Sequence, residues 1–519
     1  MEIVDNKALH LRVRNADKFA VLPHKHITPI PGGGFNVYVK WGLDEVRVLR
    51  NLGITNAPSP IRKKYSWPGR YKPMAHQRET ADFSTINRRC FILNDAGTGK
   101  TLSALWAADY LMSIGRVRRV LVVCPKSIME AAWIADINQS VIHRSAVVAH
   151  HSDPKRRVEA VKQDYEFVIV NYDGLEIIGH AVRSDKRFDL IIVDEATNYG
   201  NSSTRRWKAL NSLLTPNTLL WLMTGTPAAQ SPEHAYGLAK LVNPASVPLY
   251  KSAWRDKVML KVSTFKWVPR PDAKTIVFAA LQPAIRFSKA QCLDLPPVVV
   301  QTRDVPMTAQ QHKYYKLIKE QMLAMAAGER ISAVNKGVMV GKLLQISAGS
   351  CRTDDGDVIE FDAAPRLNVL LEVVQETSNK FIIFTTFTAS IVRLHEFLNK
   401  HGFRVETIDG HVPMSKRGDI INRFQHTDEL DGLVMQPKAT AHGLTLTRAD
   451  AVIFYGPVNS VEQYIQGIAR ADRKGQTADK VTVTHIQNSP AERLAFQRLA
   501  GRVSESELLS GMFDEVLAA

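Results

Sequence analysis

The sequence predicts an α/β protein built on two parallel sheets flanked by helices. Three observations carry that prediction. The runs Arg119 to Cys124 (after its first residue), Leu190 to Val193 and Leu219 to Met223 are continuously apolar, the pattern of strands buried on both faces. Each run closes on polar residues, such as Pro125-Lys126-Ser127, Asp194-Glu195 and Thr224-Gly225-Thr226. In open α/β sheets that strand edge is where ligands bind. The alternation of strand and helix then occurs a second time beyond residue 365.

At 519 residues the chain has room for about three domains of ~150 residues. A hydrophobic fraction of 45% with 23% charged residues is that of an ordinary soluble globular protein. The net charge of +16 calls for a polyanionic partner, nucleic acid first, unless it serves only to prevent self-association. The four cysteines, Cys90, Cys124, Cys292 and Cys351, include no C-x-x-C pair, so no zinc module is expected. They fit a reducing cytoplasm. No apolar run approaches ~18 residues, so no membrane span is expected, and the N-terminus lacks the layout of a signal peptide.

The chain divides into an accessory unit over 1–65, a first α/β lobe over 66–285, a helical linker and entry over 286–364, and a second α/β lobe over 365–519. In the accessory unit, Phe35 to Val39 alternates after three glycines and reads as a strand. Asp44 to Leu52 reads as a helix, and Ala57-Pro58-Ser59-Pro60 as a linker. The basic run Arg62-Lys63-Lys64 beside Tyr65 and Trp67 suits nucleic acid or an exposed linker alike. In the first lobe, Cys90 to Leu93 is a strand and Leu102 to Met112 a helix, with a further helix over Ile128 to Ile137. In the linker, His312 to Ala327 and Arg330 to Leu344 are helical, with Tyr315, Ile318, Met322 and Met325 at core spacing. The second lobe has strands at 381–384, 404–408, 433–435, 451–455 and 481–484, with a helix over 391–401.

Between strand and helix lies Asn94-Asp95-Ala96-Gly97-Thr98-Gly99-Lys100-Thr101. Such a loop presents backbone N–H groups and the positive end of a helix to phosphate. Lys100 would reach the β- and γ-phosphates, and Thr101 would ligate magnesium. A strict P-loop has Gly where this chain has Asn94, and a glycine-rich turn with a surface lysine is the bland alternative. At the end of a later strand, Asp194 would hold magnesium and Glu195 would polarise the attacking water. Two acids favoured by a helix dipole would look the same. Upstream, Gln77 carries a carboxamide able to pair with adenine N6 and N7, or is simply a polar helix residue. Near the C-terminus, Arg470 and Arg473 are three apart, which places them on one helix face. They suit arginine fingers or a solvated basic face.

Taken together, these blocks resemble the superfamily-two helicase-like ATPases of the Swi/Snf type over about residues 70 to 500. Asp95 to Thr101 resembles motif I, which in that family runs Asp-x-Gly-x-Gly-Lys-Thr. Asp194-Glu195-Ala196-Thr197 resembles motif II, with Thr197 where His is common. Leu222 to Pro227 resembles motif III, and Ser231-Pro232-Glu233 is similar to the annealing-helicase branch. Arg286 to Pro297 resembles the entry to the second lobe. Ala439 to Leu446 resembles motif V, with Thr440-Ala441 replacing a glycine pair. Gln466, Arg470, Arg473, Gly475 and Gln476 resemble motif VI, with Asp472 in place of His.

The resemblance implies two RecA-like lobes with ATP and Mg²⁺ between them, and double-stranded or branched DNA across both. Gln77, Asp95, Gly97, Thr98, Gly99, Lys100, Thr101 and Gln466 would bind ATP. Thr101 and Asp194 would hold magnesium, and Glu195, Lys100, Arg470 and Arg473 would act in catalysis. Lys126, Ser127, Asn171, Gly410 and Thr440 would grip the DNA backbone, which positions without reading sequence. The expected activity is DNA-dependent ATP hydrolysis driving movement on duplex DNA. A strand-separating helicase is the alternative; the RNA version is disfavoured because DEAD-box enzymes carry Ser-Ala-Thr where this chain has Thr-Gly-Thr-Pro. A non-enzymatic DNA-binding scaffold is the third reading. The compact layout resembles helicases encoded by bacteriophages, which would place the protein in the cytoplasm of a bacterial host.

Overall fold

In the computed structural model, residues 1–228, 231–263, 266–292, 295–328, 333–353, 357–440 and 445–501 are described. The chain divides into two compact units, Met1–Leu260 with Pro269–Cys292, and Lys261–Val268 with Leu293–Ala519.

The first unit is organised by a seven-stranded sheet. Its strand order is Ala284–Ile285, Arg89–Ile92, Leu219–Met223, Phe188–Val193, Arg119–Cys124, Phe167–Asn171, Ala146–Val148, with every neighbour parallel. The central strands are rich in Val, Ile and Leu because both faces are covered. Val120 through Cys124 and Leu220 through Met223 are all fully buried. Helix Lys100–Ser113 packs into this core through Leu105, Trp106 and Leu111. The two edge strands escape the sequence reading because two and three residues carry too little pattern.

A four-stranded antiparallel sheet precedes it, in the order Glu2–Val4, Ala8–Val13, Phe35–Lys40, Lys25–Pro29. Leu9, Leu11, Val37 and Val39 on one face join the core of the first unit. Helix Leu43–Asn51 adds Val46 and Leu49.

The expected linker is not a spacer. Ala57 and Ser59 are fully buried. The Ser59 N–H donates to the Asp82 carboxylate, and the Trp41 indole donates to the Pro58 carbonyl at 2.8 Å. The basic run after it is largely engaged: Arg62 pairs with Asp82, and the Lys64 ammonium donates to the Trp41 carbonyl. Proline here marks packed irregular chain rather than free chain.

The second unit holds a six-stranded parallel sheet. Its order is Val298–Asp304, Val481–Gln487, Ala449–Phe454, Lys380–Phe384, Gly432–Met435, Val405–Ile408. Beneath it, the Arg366 guanidinium donates to both oxygens of Glu492, at 3.0 and 2.9 Å, and to the Ser347 and Ile486 carbonyls. Helices Ala309–Gly328 and Ala333–Ala348 fill the interval before the central strands. Tyr315 and Ile318 pack there as expected, whereas the side chains of Met322 and Met325 lie outside the described residues, as does Arg330.

Candidate functional site

The glycine loop begins where strand Arg89–Ile92 ends. Gly97 and Gly99 take φ of +88° and +77°, left-handed values that a side chain strains to adopt. A Cβ on Gly99 would also fall 2.1 Å from Gln77 Nε2. Helix Lys100–Ser113 starts at the next residue, with Thr101 in its first turn. The buried Lys100 ammonium donates to the carbonyls of Asn94 and Asp95, at 2.9 and 3.2 Å. It therefore sits over the loop rather than out in solvent.

Asn94 stands where a strict P-loop has glycine, and its side chain explains the departure. Its amide nitrogen donates to Thr80 Oγ1 at 2.9 Å, and its amide oxygen accepts from the Phe287 N–H at 3.0 Å. The Asp95 carboxylate accepts from the Lys289 N–H at 3.1 Å. Loop, helix Ala75–Ile86 and the segment after Ala284–Ile285 are thus tied together. Gln77 belongs to the same brace. Its oxygen accepts from the Met74 N–H at 2.9 Å, and its nitrogen donates to the Thr98 carbonyl at 3.3 Å.

Asp194 and Glu195 follow strand Phe188–Val193 directly. Asp194 is buried; one carboxylate oxygen accepts from the Glu195 N–H at 3.0 Å and the other from the Trp133 indole at 3.1 Å. Burial pushes the Asp194 carboxyl above its ordinary range, against the opposing pull of Lys100, the indole and the Glu195 N–H. Glu195 adopts φ +47° and ψ +56°, a left-handed conformation uncommon outside glycine. The Tyr172 hydroxyl holds that turn by donating to the Asp194 and Glu195 carbonyls at 2.8 and 3.2 Å. Strained backbone of this kind concentrates at functional sites. Thr224, in the strand-end Thr-Gly-Thr, is fully buried, and Gly225 lies against the Ala96 N–H and Asn94 carbonyl.

Trp133 carries no signal in the sequence, and Tyr172 only its place beside Asn171 at the end of a strand. The expected helix Ile128–Ile137 is instead a 3-10 turn over Lys126–Ile128, a π-helix over Met129–Ile134 and an α-helix over Ala135–Ser140. The wider π turn, a form that recurs at functional sites, carries the indole that meets Asp194.

A magnesium nucleotide fits this constellation. Left-handed glycines open the loop backbone, an ammonium lies over it, and Asp194 is a buried carboxylate within charge range of that ammonium. Thr101 and Asp194 would hold the ion together with phosphate oxygens, the usual manner for magnesium. Among the described residues there is no group of three or more His, Cys, Asp or Glu able to hold a metal by itself.

Lys126, Ser127 and Asn171 fall on one edge of the first sheet, since Cys124 pairs with Asn171. His150 stands beside them, its pKa lowered by burial first and then by Lys126 and Arg157. Lys126 and Arg157 thus bring two cations to this part of the edge.

In the second unit, Gly410 and the turn Pro437–Thr440 follow neighbouring strands in which Ile408 pairs with Met435. The Thr440 side chain and residues 441–444 of the motif V segment lie outside the described residues. Gln466 is buried on helix Val461–Ile468, its amide donating to Glu462 at 3.3 Å. Arg470 and Arg473 do not share a helix face, because that helix stops at Ile468. Beyond it the chain turns through bonds from the Arg470 N–H to the Gly467 carbonyl and from the Gln476 N–H to the Arg473 carbonyl. The Gln476 side chain then donates to the Ala449 carbonyl at 2.8 Å and to the Ala471 carbonyl at 3.1 Å, drawing the segment back onto the sheet. Arg470 is buried and Arg473 half-buried. No helix among the described residues is long and apolar enough to cross a membrane.

The SNF2-related domain family matches residues 39–349, and the helicase conserved C-terminal domain matches residues 365–475. Protein CHROMATIN REMODELING 4 of Arabidopsis thaliana is 24% identical over 450 residues, covering 78% of this chain and 19% of its own length. Chromodomain-helicase-DNA-binding protein 1-like of Danio rerio is 23% identical over 452 residues, covering 82% of this chain and 42% of its own. This chain therefore spans under half the length of either relative. Among solved structures, the Sulfolobus solfataricus SWI2/SNF2 ATPase core in complex with dsDNA aligns at a TM-score of 0.42 and 19% identity, over 87% of this chain and 96% of that one.

Proposed function

Because the chain belongs to the SNF2-related family, we propose that it is a DNA-dependent ATPase that translocates on or remodels duplex or branched DNA. One observation carries the reading: Lys100 lies over a left-handed glycine loop and within charge range of the buried Asp194, at the carboxyl edge of one parallel sheet. The family supplies the expectation of ATP and magnesium, and the donor set fits both.

In this assignment the loop N–H groups and Lys100 bind the β- and γ-phosphates. Thr101 and Asp194 would hold magnesium, which would neutralise charge on the phosphates. Glu195 orients the attacking water and accepts its proton. Its left-handed turn, held by Tyr172, fixes where the carboxylate starts. Gln77 has a second duty beside adenine recognition, because it braces the loop at Thr98. Gln466 is assigned to nucleotide binding and Arg470 and Arg473 to arginine fingers, and withdrawal of one such finger lowers rates by about 10³ to 10⁵. Lys126, Ser127 and Asn171, with Gly410 and Thr440, contact DNA phosphates.

Steady-state ATP hydrolysis with no nucleic acid, single-stranded, double-stranded or forked DNA, and RNA, at two salt concentrations, tests the reading. Stimulation by double-stranded or forked DNA that weakens at high salt is expected, because phosphate contacts release counterions. Stimulation by single strands or RNA alone would turn the assignment towards an unwinding helicase. No turnover under any condition would leave only the scaffold reading.

A further inference from the structure

The N-terminal sheet has a face that the nucleotide site does not use. Its inner face, with Leu9, Leu11, Val37 and Val39, is buried in the core. On the outer face three rings lie in register across three adjacent strands, with His10 opposite Tyr38 and Tyr38 opposite His26. The His10 and Tyr38 rings stack at 4.5 Å with planes 11° apart. On its other side Tyr38 faces His26 at 6.4 Å and 41°. That separation is roughly twice the ~3.4 Å rise between stacked bases. Arg12 and Lys40, both exposed, stand on the same face one register step to either side of the ring row. Asn36 lies opposite Arg12, its carboxamide bonded to His10 at 2.9 Å. Glu2 lies opposite His10 on this face, its carboxylate 4.0 Å from His10 Nδ1, and is the one acid among the residues of the four strands. Across residues 1–65, eleven Lys and Arg stand against five Asp and Glu.

We propose that this face is a binding platform for single-stranded DNA. A base between Tyr38 and His26 extends the stack begun by His10, and Arg12 and Lys40 take the flanking phosphates. Aromatic rings between cations are the combination that binds single strands without reading sequence. Duplex DNA does not fit the same role, because its base faces are already covered by their neighbours. The platform is separate from the nucleotide site and does not depend on its assignment.

The test is equilibrium binding of a fluorescein-labelled oligothymidylate, and of a duplex of equal length, to the full chain. Tyr38→Ala and His26→Ala are expected to weaken single-strand binding by roughly 5- to 150-fold, the range that stacking one base supplies. Tyr38→Phe keeps the ring and binds like wild type, and duplex binding stays within about twofold. Arg12→Ala with Lys40→Ala flattens the salt slope of single-strand binding by about 1.4, the share of two phosphate contacts. His26 is exposed, so its variant answers the question even where Tyr38→Ala fails to fold. Undiminished single-strand binding by His26→Ala overturns the proposal. So does equal loss on single strands and duplex, or a Tyr38→Phe variant as weak as the alanine.

Discussion

Replacing Trp133 by Phe isolates what the indole does for Asp194. The bond at risk is the 3.1 Å donation from Nε1 to a buried carboxylate whose other oxygen has the Glu195 N–H. Phe keeps most of the apolar volume in a fully buried position, so the main loss is the hydrogen bond. A hydrogen bond to a charged group contributes about 1.5–3 kcal/mol. At ~1.4 kcal/mol per tenfold, and with Asp194 ionised in the active form, kcat/KM for ATP should fall roughly 10- to 150-fold. The sign of the pH effect follows from the same bond. Burial already raises the Asp194 pKa, and the indole is one of the groups opposing that rise. Without it the carboxyl gains a proton at higher pH, so the acid limb of the rate profile moves upward. The magnesium concentration for half-maximal rate rises with it. Hydrolysis measured across pH and magnesium reads all three. A variant with reduced rate but an unmoved acid limb and unchanged magnesium dependence would refute the argument and leave Trp133 as packing alone.

Four further outcomes follow from single contacts. Asn94→Gly restores the strict P-loop residue yet should destabilise the first unit by about 1–3 kcal/mol without tightening ATP, because two buried hydrogen bonds are lost; calorimetry and nucleotide titration read both. Gly99→Ala should weaken ATP binding about tenfold, because its φ of +77° is a left-handed value that costs alanine about 1–2 kcal/mol; nucleotide titration reads it. Arg470→Ala should lower the single-turnover hydrolysis rate by about 10³ or more while the ATP dissociation constant changes only a few-fold. Glu492→Ala should destabilise the second unit by about 3–5 kcal/mol, since it leaves the buried Arg366 charge without its carboxylate; the melting temperature of that unit reports it.

The parallel strands were legible because continuous Val-Ile-Leu runs admit few other readings, and the ends of those strands showed where polar chemistry collects. Asp194 and Glu195 stood out only with the phosphate loop upstream, since two acids at a strand end also suit a helix dipole. The left-handed turn at Glu195 could not, since nothing in Asp-Glu-Ala-Thr forces φ to +47°; the Tyr172 hydroxyl, distant in sequence, helps to hold it. Asn94 looked like a defect in a motif, and its compensation lies with Thr80 and Phe287, the latter almost two hundred residues away. The Arg470 and Arg473 spacing suggested one helix face, but helix Val461–Ile468 ends first because Gln476 ties the following turn to Ala449. The π turn beneath Trp133 escaped because an apolar repeat does not distinguish a π from an α turn over six residues. At Glu195, Asn94 and the segment after Ile468 the missing information was a contact with a segment far away in the chain.

The measurement that bears most directly on the central claim is displacement of a third strand from a DNA triplex by the full chain. ATP-dependent release of that strand, with the underlying duplex intact and the activity abolished by Glu195→Gln, is the predicted result. Separation of the duplex itself, or release that persists in Glu195→Gln, would contradict it.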